Sequence, residues 1–384
     1  MAVIRPRGFR WTATVAATAL AVLPISGTTG VTIVGANDPN AIENSYIVVY
    51  KDGHQYRAPD DIHVTHTYSA ALNGFAATMT PAQAARIARD PAVTHVEQDR
   101  TMTTTATQSP VPNWGVDRID QATLPLDNAY TYTTTASNAS IYVIDTGIHI
   151  WHSEFGGRAV WGTNTTGDGI DTDCNGHGTH LAGIAGGTSF GVAKGARLVA
   201  VKVISTCGSG SGGLGSVLAG IDWVTINHGP ASVALLTLGG DVTPALDLAV
   251  QNAIAAGVPY VLSAGNSNSN ACNFSPGRTP TAVTVAATTN SDFRASFSNH
   301  GPCVDLFAPG QNITSVWNNP SVINTLSGTS QAAAFVAGVA AKYLDGNPTA
   351  TPAAVTTALV GAATPGVVTN PGTGSPNRLL RTIW

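Results

Sequence analysis

The sequence predicts an α/β protein: a doubly wound, mostly parallel sheet with helices on both faces, preceded by a small α+β unit. Three observations carry that prediction. After Trp114, near-continuous apolar runs of strand length alternate with Ala-rich stretches of helical length, the pattern of parallel strands buried on both faces. From Ser45 to about Met102, a shorter stretch reads as strands around one helix. Between the two, TTTATQSPVPNW carries Thr, Ser and Pro without periodicity. It reads as an exposed linker, the kind of segment that proteases cut.

Composition narrows the possibilities. Of the 384 residues 43% are hydrophobic, enough for a sizeable core, and only 10% are charged, against about 25% in an average globular protein. The net charge of -4 leaves no cationic surface for a run of phosphates, so a nucleic-acid partner is excluded. At the start, Arg5, Arg7 and Arg10 precede a mostly apolar run from Trp11 to Ile25, and Ser26 and Gly27 follow. That is the layout of a secretory signal, assigned here to residues 1–36. The run is shorter than the ~20 residues a spanning helix needs. The mature chain is therefore expected to be secreted, extracellular, free of the membrane and monomeric.

In the small unit, SYIVVY is a strand, a second strand lies near Phe75 to Met79, and AVTHVEQ is the last. The helix between them is well punctuated. Thr80 caps it, Pro81 takes its first position, Gln83 completes a capping box, and Pro91 lies just beyond its end. In the larger unit the strands are SIYVID ending at Asp145, ARLVAVKVI from Ala196, SVALLTL from Ser232, GVPYVLSA from Gly257 and TAVTVAA from Thr281. Helices are expected from Leu214 to Ile226, from Pro244 to Ala256, from Ser330 to Leu344, and in the Ala-rich stretch entered through Gly176. Sites in such folds gather at the carboxyl ends of the strands.

Those ends carry the chemistry. Asp145 closes an apolar strand, although a carboxylate there also suits magnesium, phosphate or a helix cap. His177 lies in NGHGTHLAG between two glycines. A metal pair of His177 and His180 lacks both an HExxH arrangement and a third ligand, so His180 reads as a hydrogen-bonded core histidine. Ser330, in SGTSQAAAFVAG, reads alone as a helix cap. Together the three make a different case. A serine hydroxyl is a poor nucleophile until a base takes its proton, and the base needs an acid to fix its tautomer and stabilise its cation. Asn266, directly after an apolar strand and Gly265, offers an amide donor to the oxyanion formed when a carbonyl is attacked. The Ser330 amide, at the positive end of its helix, offers a second.

Cys174, Cys207, Cys272 and Cys303 form an even set in an exported chain, which favours disulfides. Sequential pairing would close two loops of about 30 residues, each worth roughly 3 to 4 kcal/mol in the chain-entropy model. Zinc is disfavoured because no CxxC pair exists.

YVIDTGI with HSEFGGRA, NGHGTHLAG, TLGG, AGN and SGTS, in the order Asp, His, Asn, Ser, resemble the subtilisin-type (subtilase) serine endopeptidases, and within them the proteinase K group and its aqualysin-like secreted members. The likeness covers nearly all of Trp114 to Trp384 and includes the positions of all four cysteines. It also extends to Ser45 to Met102, which is similar to the ferredoxin-like inhibitory propeptide of these enzymes. The resemblance implies a propeptide over 37–106 that inhibits the enzyme and assists its folding, and a peptidase domain over 107–384. It implies a triad of Asp145, His177 and Ser330, with Asn266 as the oxyanion asparagine. Leu238 and Gly239 match one strand that pairs with an extended polypeptide substrate, and Gly210, Ser211 and Gly212 match the second. Ser263, Ala264 and Gly265 match a wall of the pocket for the residue before the cut, for which an apolar or aromatic preference is expected. A structural calcium would be held by the Asp305 carboxylate and the backbone oxygens of Pro280 and Ala282.

The chain departs from the family after Ser330, where Gln331, Ala332, Ala333, Ala334 and Phe335 replace the usual Met-Ala-Thr-Pro-His. Ala is a better helix former than Thr or Pro, so the helix survives. Phe335, however, is bulkier than the usual His. The alternative reading is a catalytically impaired relative that binds peptides without cutting them; retention of all four reactive positions stands against it. A lipase or esterase is disfavoured because the G-x-S-x-G elbow is missing around Ser330.

Overall fold

A computed structural model describes residues 33–36, 38, 41–54, 58–102, 105–205 and 213–384. They fall into two compact units, one within Met1–Thr103 and one within Thr104–Trp384. Among the described residues, no helix is long and apolar enough to cross a membrane.

The first unit is a four-stranded antiparallel sheet. Its strands are β1 (Ala41–Tyr50), β2 (His63–Tyr68), β3 (Gly74–Thr78) and β4 (Val93–Arg100), in the order β2-β3-β1-β4. Helix α1 (Pro81–Ile87) joins β3 to β4. Its capping box forms as the sequence predicts: the Gln83 amide donates to Thr80 Oγ1, and the Thr80 amide donates to Gln83 Oε1. Tyr46, Val48, Phe75, Ala84, Ile87 and Val96 make its core. The strand β2 is the element the sequence does not announce, because HVTHTY is almost wholly polar and exposed.

The second unit contains β5 (Ala106–Gln108), α2 (Trp114–Asp120), β6 (Tyr130–Tyr132), β7 (Ser140–Asp145), β8 (Ala159–Asn164), α3 (His177–Gly186), β9 (Arg197–Lys202) and α4 (Leu214–Asn227). There follow β10 (Ser232–Leu236), β11 (Gly240–Asp241), α5 (Pro244–Ala255), β12 (Tyr260–Ser263), β13 (Phe274–Ser275), β14 (Val283–Thr288) and β15 (Leu306–Pro309). The chain ends with the hairpin β16 (Ile313–Val316) and β17 (Ile323–Leu326), α6 (Thr329–Gly346), α7 (Pro352–Ala362), β18 (Thr364–Pro365) and β19 (Arg378–Leu379). Nine strands form the central sheet in the order β18-β19-β15-β14-β12-β10-β7-β9-β8, and all its pairs are parallel except β18 with β19.

Strand periodicity explains the two covered faces, since successive side chains point to opposite sides. Ile141 and Val143 of β7, Leu198 and Ala200 of β9, and Val233 and Leu235 of β10 join a core with α3, α6 and α7. Their alternates Tyr142 and Ile144, Val199 and Val201, and Ala234 and Leu236 pack beneath α4 and α5. The Phe335 ring finds its room at α2, where it lies against Gly115; a Cβ on Gly115 would overlap it. The extra volume at 335 is thus matched by a missing side chain at 115.

The linker reading needs correction. Ala106–Gln108 form β5, paired with β6, and Gln108 Oε1 accepts from the Lys194 ammonium at 2.6 Å. Asn113 caps α2 through the Gly115 and Val116 amides. Backbone pairing of a polar strand and polar side chains make these attachments, so apolar periodicity could not reveal them.

Candidate active site

The strands β7, β10 and β12 are neighbours in the sheet, and their carboxyl ends place Asp145, Thr237 and the segment from Ser263 to Asn266 side by side. Asp145 is fully buried. Its Oδ1 accepts from His177 Nδ1 at 2.7 Å and from the Thr146 amide at 2.8 Å; its Oδ2 accepts from Thr237 Oγ1 at 2.9 Å. Burial alone would raise the carboxyl pKa, but the His177 charge and these donors outweigh it and hold it below its ordinary value. For His177, burial opposes protonation, while the charge and hydrogen bond of Asp145, with a smaller push from Asp173, outweigh burial and raise its pKa above 6.5. With Nδ1 donating to the carboxylate, Nε2 at the far edge of the ring is left to act as a base.

His177 is the first residue of α3, entered through Gly176 at φ 105°. A Cβ on Gly178 would overlap the Gly147 carbonyl oxygen, so glycine lets the helix start press against the turn after Asp145. Asp173, which the sequence analysis passes over, secures that arrangement. Its Oδ1 accepts from Thr146 Oγ1 at 2.8 Å and from the Gly176 amide at 2.8 Å, and its Oδ2 accepts from the Thr179 amide at 2.9 Å.

Ser330 lies in the first turn of α6, whose cap, Gly328, has no side chain to spend on the helix amides. Asn266 Oδ1 accepts from the Thr329 amide at 2.9 Å and from Thr329 Oγ1 at 2.8 Å. Both bonds fall on the oxygen, so the Nδ2 donor is turned away from Thr329. Ser330 and Asn266 line one cavity of about 210 Å³ with Gly239, Ser263, Ala264, Gly265, Phe274 and Gly277. Among the described residues, no charged side chain lines it. Thr237 lines the same cavity while donating to Asp145, and α3 packs against α6. Among the described residues no hydrogen bond joins His177 to Ser330; such bonds are often long in a ligand-free site and tighten with substrate.

Leu238 does not line the cavity; it packs against the core beneath α4 and α5. Gly210, Ser211, Gly212 and Cys207 lie outside the described residues. Cys272 and Cys303 form a disulfide with Cα atoms 5.3 Å apart, and Cys174 is also disulfide-bonded. His180 is fully buried, with Nε2 3.1 Å from the Asn324 carbonyl oxygen. Burial lowers its pKa to about 4, so it stays neutral in the core.

Asp305 stands just before β15, and Pro280 and Ala282 just before the adjacent β14, at the amino ends of the strands and away from the catalytic rim. The Asp305 Oδ2 accepts from the Thr284 amide at 2.8 Å. Among the described residues no basic side chain pairs with it, and burial raises its pKa to about 6. A partly buried carboxylate held through one oxygen by a backbone amide suits a hard cation.

Residues 136–380 match the Subtilase family of peptidases. The chain belongs to that family. The inhibitor family described as Peptidase inhibitor I9 matches residues 37–105, so this subtilase carries an inhibitory propeptide ahead of its peptidase domain. An extracellular serine proteinase of Thermus sp. (strain Rt41A) is 48% identical over 389 residues, 94% of each chain. Alkaline serine exoprotease A of Vibrio alginolyticus is 43% identical over 376 residues, 92% of this chain and 70% of the relative. A solved structure described as a cold adapted subtilisin-like serine proteinase shares 49% identity and a TM-score of 0.70, covering 72% of this chain and 100% of the other. The subtilase is a serine endopeptidase.

Proposed function

We propose that this subtilase is made as an exported, self-processing zymogen and cuts polypeptides outside the cell through Asp145, His177 and Ser330. The observation that carries the reading is the 2.7 Å bond from His177 to a buried Asp145, whose other oxygen is held by Thr237 at the wall of the cavity shared by Ser330 and Asn266. The signal occupies 1–36, the propeptide 37–106 and the peptidase 107–384.

A substrate lies extended along Gly239, gaining affinity from main-chain hydrogen bonds that tolerate many sequences. The side chain before the scissile bond enters the uncharged cavity, which favours apolar and aromatic groups. His177 Nε2 takes the Ser330 proton as Oγ attacks the carbonyl carbon. Asn266 Nδ2 and the Ser330 amide donate to the oxygen that becomes negative. The imidazolium, stabilised by Asp145, gives its proton to the departing amine, and water repeats the sequence on the acyl-enzyme. A serine-directed fluorophosphonate is expected to label Ser330 of the processed protein stoichiometrically; no label there defeats the protease reading and favours a peptide-binding relative. A peptide-library digest dominated by Lys or Arg before the cut rejects the apolar preference.

Calcium at Asp305, Pro280 and Ala282 would neutralise a partly buried carboxylate that has no basic partner among the described residues, tying together the approaches to β14 and β15. Chelation is expected to lower the Tm, calcium to restore it, and Asp305→Asn to blunt the difference. A Tm indifferent to both treatments removes calcium from this site.

A further inference from the structure

We propose that Asn299 is the positioning residue of the oxyanion donor, an inference that rests on reading Asn266 as that donor. Asn299 is fully buried at the floor of the same cavity, and its bonds land on both sides of Asn266. Its Oδ1 accepts from the Ser267 amide at 3.0 Å and from the Ser269 amide at 2.9 Å. Its Nδ2 donates to the Ala264 carbonyl at 2.8 Å, and its own amide donates to the Gly265 carbonyl at 2.9 Å. Within the segment so gripped, Asn266, Ser267 and Asn268 are exposed.

Gly265 shows how close the grip is. It has φ 98°, and a Cβ there would overlap Asn299 Nδ2. Thr329 orients the Asn266 carboxamide through Oδ1 and takes the Gly265 amide on its Oγ1, while Asn299 holds the chain on both sides of Asn266. Both are needed, because a donor acts only within a few tenths of an ångström of the developing oxyanion. Displacement by about 1 Å can cost about 100-fold in rate.

A side chain that merely satisfied the core would alter stability without selecting the transition state. The positioning role makes three other demands. Asn299→Ala should lower kcat about 10 to 100 fold with KM changed less than about twofold. The affinity for a peptide aldehyde, which mimics the tetrahedral intermediate, should fall in step with kcat/KM. Asn299→Asp keeps an acceptor for Ser267 and Ser269 but loses the donor to Ala264, so it should recover part of the loss. In an Asn266→Ala background both substitutions should change kcat less than about twofold, since the donor that Asn299 positions is gone and the Ser330 amide is held by its own helix.

Active enzyme is counted by fluorophosphonate labelling of Ser330, so loss of folded protein does not pass for loss of turnover. If Asn299→Ala does not fold, Asn299→Asp carries the same cycle. An unchanged kcat in a folded Asn299 variant, a loss confined to KM, or an undiminished loss in the Asn266→Ala background overturns the proposal. Undiminished turnover in Asn266→Ala alone strikes the oxyanion reading itself, and is told apart because Asn299 is then untouched.

Discussion

Ser330→Ala is expected to lower kcat by about 10⁶-fold, a magnitude known from removal of the nucleophile in a subtilisin, and to leave the chain at full length. Several other hydroxyls that line the cavity are already engaged. Ser263 Oγ is committed to the Thr237 carbonyl, Ser275 Oγ accepts from the Thr243 amide, and Thr329 Oγ1 donates to Asn266. The substitution is mild for the fold, because Ser330 does not cap α6 and Ala is the best helix former. Stability should therefore stay within about 0.5 kcal/mol, and what activity remains comes from the oxyanion donors and substrate binding. Intact mass, amino-terminal sequencing and turnover of the two proteins make the check. A purified Ser330→Ala chain that processes normally shows maturation to be the work of another protease; one that still turns over substrate removes Ser330 from the mechanism.

The elements most legible in the sequence are those whose cause is local. The α1 helix is announced by Thr80, Pro81 and Gln83 within four positions, and the central strands by runs that are apolar on both faces. The polar strand β2 and the hairpin of β16 and β17 carry no such pattern. The site divides in the same way. Asp145, His177 and Ser330 announce themselves together, at a strand end and two helix starts with a glycine within two positions of each, and Asn266 because it follows Gly265 at a strand end. The residues that hold this set are silent in the sequence, since they act over distance: Thr237 reaches Asp145 across 92 positions, and Asn299 reaches Ala264 across 35. Asp173 lies closer, but its many bonds to Thr146 and the start of α3 exist only once two elements have packed.

Asp145→Asn is expected to lower kcat about 10⁴-fold and to move the acid limb of kcat/KM to lower pH. Only neutral His177 can accept the Ser330 proton, so kcat/KM rises with pH through the raised His177 pKa, and the wild-type limb lies above 6.5. An uncharged amide removes the interaction with Asp145 that raises this pKa and leaves burial, which lowers it. The amide can also donate to Nδ1, favouring the tautomer whose Nε2 carries a proton and cannot act as a base. Stability runs the other way. The raised His177 pKa gives stability that is full below 6.5 and lost as pH rises through the folded value, whereas the lowered Asp145 pKa gives stability that is full above 3.8 and lost as pH falls through its folded value. The pair thus steadies the fold most between 3.8 and 6.5, and the enzyme works on the alkaline side of that window. A pH series of kcat/KM and of thermal unfolding for the two proteins tests both halves; an acid limb that stays in place in Asp145→Asn would show that this carboxylate does not set the basicity of His177.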